Sequence, residues 1–181
     1  MATDAKPITA EALGRMRLDQ PCELIRGEIV MMTPAGVEHG QIAMKLGALL
    51  FNHVEAARLG RVFAAETGFV LARDPDTVLA PDAAFIRADR LPDAEAMRGL
   101  ILTAPDFVAE VAPPRQHEGL RDKAATWLGH GAAMVWVVWP ATRSVSIHRP
   151  GQPVELRHEG DRLEGEGVVP GFSCDVASIF E

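Results

Sequence analysis

Residues 105–127 read PDFVAEVAPPRQHEGLRDKAATW. Phe107, Val108, Ala109 and Val111 form an apolar run short enough for a buried strand, with Glu110 as a lone carboxylate inside it. Pro113 and Pro114 stop that strand, and from Glu118 to Gly131 a helical pattern takes over. Leu120, Ala124, Trp127 and Leu128 recur at helical spacing, and Lys123 stands one turn from both Leu120 and Trp127. Lys123 is therefore at the margin of the core-facing stripe, able to lean toward the end of the strand that carries Glu110. A carboxylate and an ammonium in one half-buried place form either a structural ion pair or an active site. Desolvation makes a buried pair a poor stabiliser beside apolar residues of the same volume, so an unforced pair in a core strand invites a functional account. Both readings stay open on this stretch alone.

The chain has 181 residues, 48% of them hydrophobic, which suits one domain over residues 1–181 with a sizeable core. Low-complexity tracts, charge runs and internal repeats are absent. The opening MATDAKPITAEALGRM lacks the basic start and apolar core of a signal peptide, and no apolar run approaches the roughly 18 residues of a membrane span. A cytoplasmic protein that avoids membranes is the expectation. Cys22 and Cys174 have neither metal-ligand spacing nor a disulfide framework, and read as ordinary thiols. The formal charge of -7 counts against a large basic surface that holds nucleic acid. A local basic groove on an acidic enzyme still permits a transient encounter.

Taken in order, a short amphipathic helix capped near Thr9 ends before Pro21. A hairpin follows, Cys22 to Ile25 and Glu28 to Met32 joined at Arg26-Gly27, with Glu23 and Glu28 read as solvent-facing carboxylates. After Thr33, Pro34 and Gly36, a long helix runs from about Glu38 to Leu59 with Ile42, Leu46, Leu49, Leu50 and His53 as its buried stripe. His39 lies in its first turn, where the helix dipole disfavours a protonated imidazole. It suits a neutral, substrate-orienting histidine or a capping one at the core edge.

Arg61 to Ala72 reads as one strand with Gly68 a bulge or close approach, and Arg73 to Thr77 as a turn whose Asp74 and Asp76 serve the turn itself. The next strand spans Val78 to Ile86 and holds a second lone carboxylate, Asp82. Pro81 makes it begin near Asp82 or lie at an edge or bulge. Residues 88–104 form a polar excursion with a short helix around Asp93 to Leu100. Ala133 to Trp139 is again an apolar strand. Ser144 to His148, Val154 to Arg157 and Arg162 to Glu166 alternate like an exposed antiparallel meander, and Val168 to Phe180 closes with a short apolar helix or coil.

This order implies an α/β architecture with a mixed sheet. If the Asp82 and Glu110 strands are neighbours, their carboxylates can share a divalent cation, since magnesium is held by one or two carboxylates while water and phosphate fill its other positions. Lys123 would then stand where an ammonium offsets charge developing on a phosphate. His39, His53, His117 and His130 lack zinc spacing.

Pro81-Asp82, Glu110-Val111 and Lys123 in a helix resemble the PD-(D/E)xK nuclease superfamily, and within it the Uma-type restriction-endonuclease family. Glu23 to Glu28 resembles that family's opening hairpin, and His39 the histidine at the start of its long helix. Gly131 to Pro140 resembles its strand ending in Asp-Pro, and Pro170-Gly171-Phe172 to Phe180 its C-terminal segment. The resemblance implies a restriction-endonuclease-like core of mixed sheet flanked by helices, with an N-terminal hairpin and C-terminal antiparallel strands. It also implies magnesium-dependent phosphodiester hydrolysis, with manganese as a substitute ion and nucleic acid, DNA first, as a transient partner. Asp82 and Glu110 become metal ligands, Lys123 the transition-state cation, and His39 and Glu28 supporting groups. Ala112 stands where the superfamily places its lysine, so Lys123 takes that role. Pro113 replaces a serine, and Trp127 replaces a tyrosine as a packing swap. A homodimer fits the family, and the C-terminal strands offer it an edge.

Two other classes stand beside the nuclease: a non-catalytic interaction module on the same fold, and a metal-dependent hydrolase of another phosphate ester. Magnesium binding separates the first from an enzyme, and cleavage of DNA, RNA or nucleotides separates the enzymes.

Overall fold

The structure, a computed structural model, describes residues 6–113 and 118–181. Its elements are α1 (Ala10–Arg15), β1 (Cys22–Ile25), β2 (Glu28–Met31), α2 (Val37–Ala57), β3 (Gly60–Ala64), β4 (Phe69–Ala72), β5 (Thr77–Leu79), β6 (Ala83–Arg87), β7 (Phe107–Val111), α3 (Glu118–Gly129), β8 (Met134–Trp139), β9 (Ser144–His148), β10 (Glu155–His158), β11 (Arg162–Glu164), β12 (Ser173–Asp175) and α4 (Ala177–Phe180). They fall into two compact units, the first built from Met1–Pro34, Glu66–Ala80 and Pro92–Ala104, the second from Ala35–Ala65, Pro81–Leu91 and Pro105–Glu181. Pro114 and His117 lie outside the described residues. Among the described residues no helix is long and apolar enough to cross a membrane.

The first unit is an antiparallel sheet in the order β2-β1-β5-β4, with Ala10, Leu24, Val70 and Val78 as its small core. Thr9 caps α1 by accepting the Ala12 N–H at 3.2 Å. The β1–β2 turn has Arg26 and Gly27 both in the left-handed region, at φ 52° and 81°, the twist a two-residue hairpin requires. Gly68 is the close approach its sequence context suggests: a Cβ there would meet Leu100 Cδ2 at 2.6 Å. Two acids differ from expectation. Glu23 is buried and accepts the Ala80 N–H at 2.9 Å. Asp76 is buried too, accepting the Ala10 N–H and the Arg73 guanidinium at 2.7 Å each. Both serve backbone donors that only the tertiary fold brings near.

The second unit carries a mixed sheet in the order β10-β9-β8-β7-β6-β3. β7 and β8 pair in parallel, and every other neighbouring pair is antiparallel. α3 is the crossover a parallel pair demands. Ala83, Phe85, Phe107, Ala109, Val111, Met134, Trp136, Val138, Val145 and Ile147 form one core with Ile42, Leu46, Leu50 and Val54 of α2. Alternate residues of β7, including Glu110, face the other way, where α3 covers them. The β11–β12 ribbon and α4 complete the α2 side, contributing Leu163, Cys174, Val176 and Ile179.

A mixed sheet flanked by helices is what the sequence leads one to expect, but several boundaries move. Arg61 to Ala72 divides into β3 and β4, which join different sheets, and Val78 to Ile86 divides into β5 and β6 around Pro81-Asp82. The helix expected near Asp93 to Leu100 is one 3-10 turn, Ala96–Arg98. β9 is buried, because β8 and β10 flank it and both its faces are covered. β11 leaves the meander to pair with β12.

Candidate active site

Ala83 pairs with Ala109, Ala84 with Val108 and Phe85 with Phe107. Continuing that register by one residue sets Asp82 opposite Glu110. Pro81 has no N–H to give a ladder, and Asp82 turns its carboxylate into the gap: Oδ2 accepts the Val111 N–H at 2.7 Å. Its Oδ1 lies 2.9 Å from Nε2 of His39, in the first turn of α2. Both side chains are less than one-fifth exposed.

Glu110 is buried on the face covered by α3, which approaches it with two donors one turn apart. Lys123 Nζ lies 3.0 Å from both carboxylate oxygens, and Trp127 Nε1 donates to Oε1 at 2.8 Å. The structure adds a hydrogen bond to the packing role that the sequence suggests for Trp127. Its place one turn from Lys123 on the same stripe was the available signal, because a buried indole N–H needs an acceptor.

Burial drives the Glu110 carboxyl up to about 7, and the Asp82 charge adds to that rise. The Lys123 ammonium and the Trp127 and Lys123 hydrogen bonds pull the other way and lose. His39 is raised above the ordinary histidine value, first by its hydrogen bond to Asp82, with burial opposing and the Asp82 and Glu110 charges assisting. The Asp82 carboxylate in contact acts on His39 in the direction opposite to the partial charges at the helix end. Asp82, Glu110, Lys123 and His39 thus form one electrically connected group. Glu28 takes no part in these hydrogen bonds; it is an exposed residue of β2 in the first unit.

The group is suited to a hard cation. Among the described residues no three His, Cys, Asp or Glu side chains gather as a metal cluster; Asp82 and Glu110 are the two carboxylates of this group that could hold an ion. Glu110 Oε1 faces both the Trp127 N–H and the Lys123 ammonium, whereas Glu110 Oε2 and the two Asp82 oxygens each have one hydrogen-bond partner and keep a further lone pair; magnesium is usually held by one or two carboxylates. No thiol stands in for a nucleophile: Cys22 and Cys174 are free, both thiols are raised by burial, and Cys174 reaches about 11.

A crystal structure described as a putative nuclease belonging to DUF820, from Anabaena variabilis, superposes with a TM-score of 0.83 at 22% sequence identity, covering 96% of this chain and 98% of that one. At that identity the likeness establishes the fold, a central mixed sheet flanked by helices. No curated protein matches the chain. The model of the Uma2 family, described as "Putative restriction endonuclease", matches residues 10–177, a range that includes His39, Asp82, Glu110 and Lys123, and on that match the chain belongs to the Uma2 family.

Proposed function

We propose that the protein is a magnesium-dependent endonuclease that hydrolyses phosphodiester bonds in DNA, with Asp82 and Glu110 as the residues that hold the ion and manganese as its substitute. The observation that carries this reading is the buried Glu110 carboxylate, held 3.0 Å from the Lys123 ammonium, with Asp82 bonded to the next residue of the same strand through the Val111 N–H at 2.7 Å. When bound, a divalent ion supplies Lewis acidity toward a phosphoryl oxygen. Lys123 carries the positive charge that offsets negative charge growing on the phosphate, and burial makes that charge count for more than it would in water. Trp127 fixes Glu110 from one side. The Val111 N–H fixes Asp82 from the backbone, and His39 Nε2 holds the other Asp82 oxygen. His39 is a positioning residue, since it reaches the site through Asp82.

The test is cleavage of supercoiled DNA with magnesium, with manganese and with chelator, comparing wild type and Asp82→Ala, with single-stranded RNA alongside. Metal-dependent nicking by wild type that Asp82→Ala loses is the expected result. Equal nicking by both proteins, or none by wild type with either ion, would sink the proposal. Cleavage confined to RNA would move the substrate while keeping the chemistry.

A further inference from the structure

The chain has three tryptophans. Trp127 and Trp136 are fully buried, whereas Trp139 is partly exposed. It ends β8 on the face that carries Glu110. Glu110 pairs with Val137 and Val111 with Val138, and the Ala112 N–H donates to the Val138 carbonyl at 2.8 Å, so the next step of the parallel ladder sets Trp139 beside Ala112. Residues two apart along a strand share a face, which puts the Trp139 Cα about 8 Å from that of Glu110. The indole is held by its own hydrogen bond: Nε1 donates to Ser146 Oγ at 2.8 Å, and that buried oxygen lies 3.0 Å from Nε2 of His148. Trp139 pairs with Ser144, while Ser146 pairs with Val137. The bond therefore draws the ring back across the sheet toward β9. By register, Ser144, Ser146 and His148 of β9 and Leu156 and His158 of β10 share this face, and none is a carboxylate. That is notable on a chain of formal charge -7.

We infer that Trp139 is a stacking surface for an unpaired nucleobase next to the phosphate that is cut, and that the substrate is single-stranded DNA or the unpaired segment of a duplex. The inference rests on the endonuclease reading and narrows it. The neighbourhood of the ring selects this ligand. An aromatic side chain fixed on an acid-free sheet face, with hydroxyl and imidazole groups around it, matches the way sheet-based proteins hold splayed-out bases. A base inside a duplex has both of its faces covered by its neighbours and cannot use such a ring. Charge points the same way. Duplex binding depends on neutralising many phosphates, which the balance of -7 disfavours, whereas stacking adds affinity through the π face of any base. The position beside Ala112 gives the contact its role, because a strand held at Glu110 passes Trp139 with the adjoining nucleotide.

The experiment is titration of the full chain, in chelator so that nothing is cut, with a single-stranded DNA of about 12 nucleotides and with the duplex of the same sequence. Because Trp127 and Trp136 are fully buried, the indole emission that acrylamide reaches comes from Trp139. The single strand quenches that emission, shields it from acrylamide and binds at least about 5-fold tighter than the duplex, the low end of what one stacked base is worth. Trp139→Phe keeps a ring and stays close to wild type in binding. Trp139→Leu loses about 5- to 150-fold; should that variant fail to fold, the wild-type quenching decides alone. A single strand that binds without changing the Trp139 emission overturns the inference. So do a folded Trp139→Leu that binds as tightly as wild type, a duplex that binds more tightly than the single strand, and a wild type that binds no single strand. Quenching without any cleavage in magnesium would support the stacking site and remove the endonuclease reading; cleavage at equal rates by wild type and Trp139→Leu would do the reverse.

Discussion

Replacing Glu110 by glutamine should leave the protein relatively more stable as pH rises. Glutamine keeps the shape and still offers Trp127 a carbonyl oxygen, so near pH 5 the variant and the protonated wild type should differ little. The wild-type carboxyl has a folded pKa of about 7 against an ordinary 4.5. Between those values the folded protein binds a proton that the unfolded chain has released, so wild-type stability falls as pH rises through the window. At about 1.4 kcal/mol per pH unit, the loss reaches roughly 3 kcal/mol by pH 8. The Glu110 side chain is only 4% exposed, so solvent screening takes little from this figure. His39, also raised, contributes stability that is present below its unfolded pKa and lost as pH rises through the folded one; that change is shared by both proteins and largely cancels in their difference. Urea unfolding of wild type and Glu110→Gln in chelator, from pH 5 to pH 8.5, should show the variant gaining steadily on wild type. A flat difference, or one in which the variant falls behind, would mean that Lys123 keeps Glu110 ionised throughout and that the pair is a net stabilising salt bridge.

Adding magnesium at pH 8 should reverse the trend for wild type alone, because an ion bound only by the folded state stabilises it by mass action; equal shifts in wild type and Glu110→Gln would remove Glu110 from the metal set. Lys123→Met should remain folded at neutral pH, since Glu110 can take up a proton once its counter-ion is gone, while hydrolysis is lost with metal binding retained. Unfolding of that variant would make the pair structural. Asp82→Asn should lower the His39 pKa toward the ordinary value, read from imidazole proton shifts in NMR; no movement would refute Asp82 as the cause. Trp127→Phe deletes one donor to a buried carboxylate and should destabilise the fold by about 1–3 kcal/mol, with the loss larger at pH 8 than at pH 5.

The sheet and its flanking helices were legible because their signals are local. Short apolar runs gave β7 and β8, helical spacing gave α2 and α3, and Pro-Asp marked the start of β6. The candidate site was legible for a related reason: Asp82, Glu110 and Lys123 each interrupt an apolar pattern, and a charge that breaks such a pattern needs a partner. Missed features depend on contacts between segments far apart in the chain. Asp76 looks like a turn residue until α1 brings the Ala10 N–H to it, across 66 positions. Nothing near His39 in the sequence announces Asp82, which reaches it from 43 residues away. β11 alternates like a third meander strand, and only the pairing with β12 shows that the chain has turned elsewhere.

The alternation of segments between the two units bears on how the protein emerges during synthesis. The chain changes unit at residues 35, 66, 81, 92 and 105, so neither unit is complete when a contiguous stretch has been made. β7 lies at the centre of the larger sheet, yet its parallel neighbour β8 ends at Trp139 and that strand's other neighbour at His148. Until those residues leave the ribosome, β7 has an open edge, and Glu110 waits without Lys123 and Trp127 in place. The Asp82, Glu110, Lys123 and Trp127 group is therefore completed only after more than half of the polypeptide has been made, and a chain terminated before Lys123 would carry the two acids without the ammonium and the indole N–H that hold Glu110.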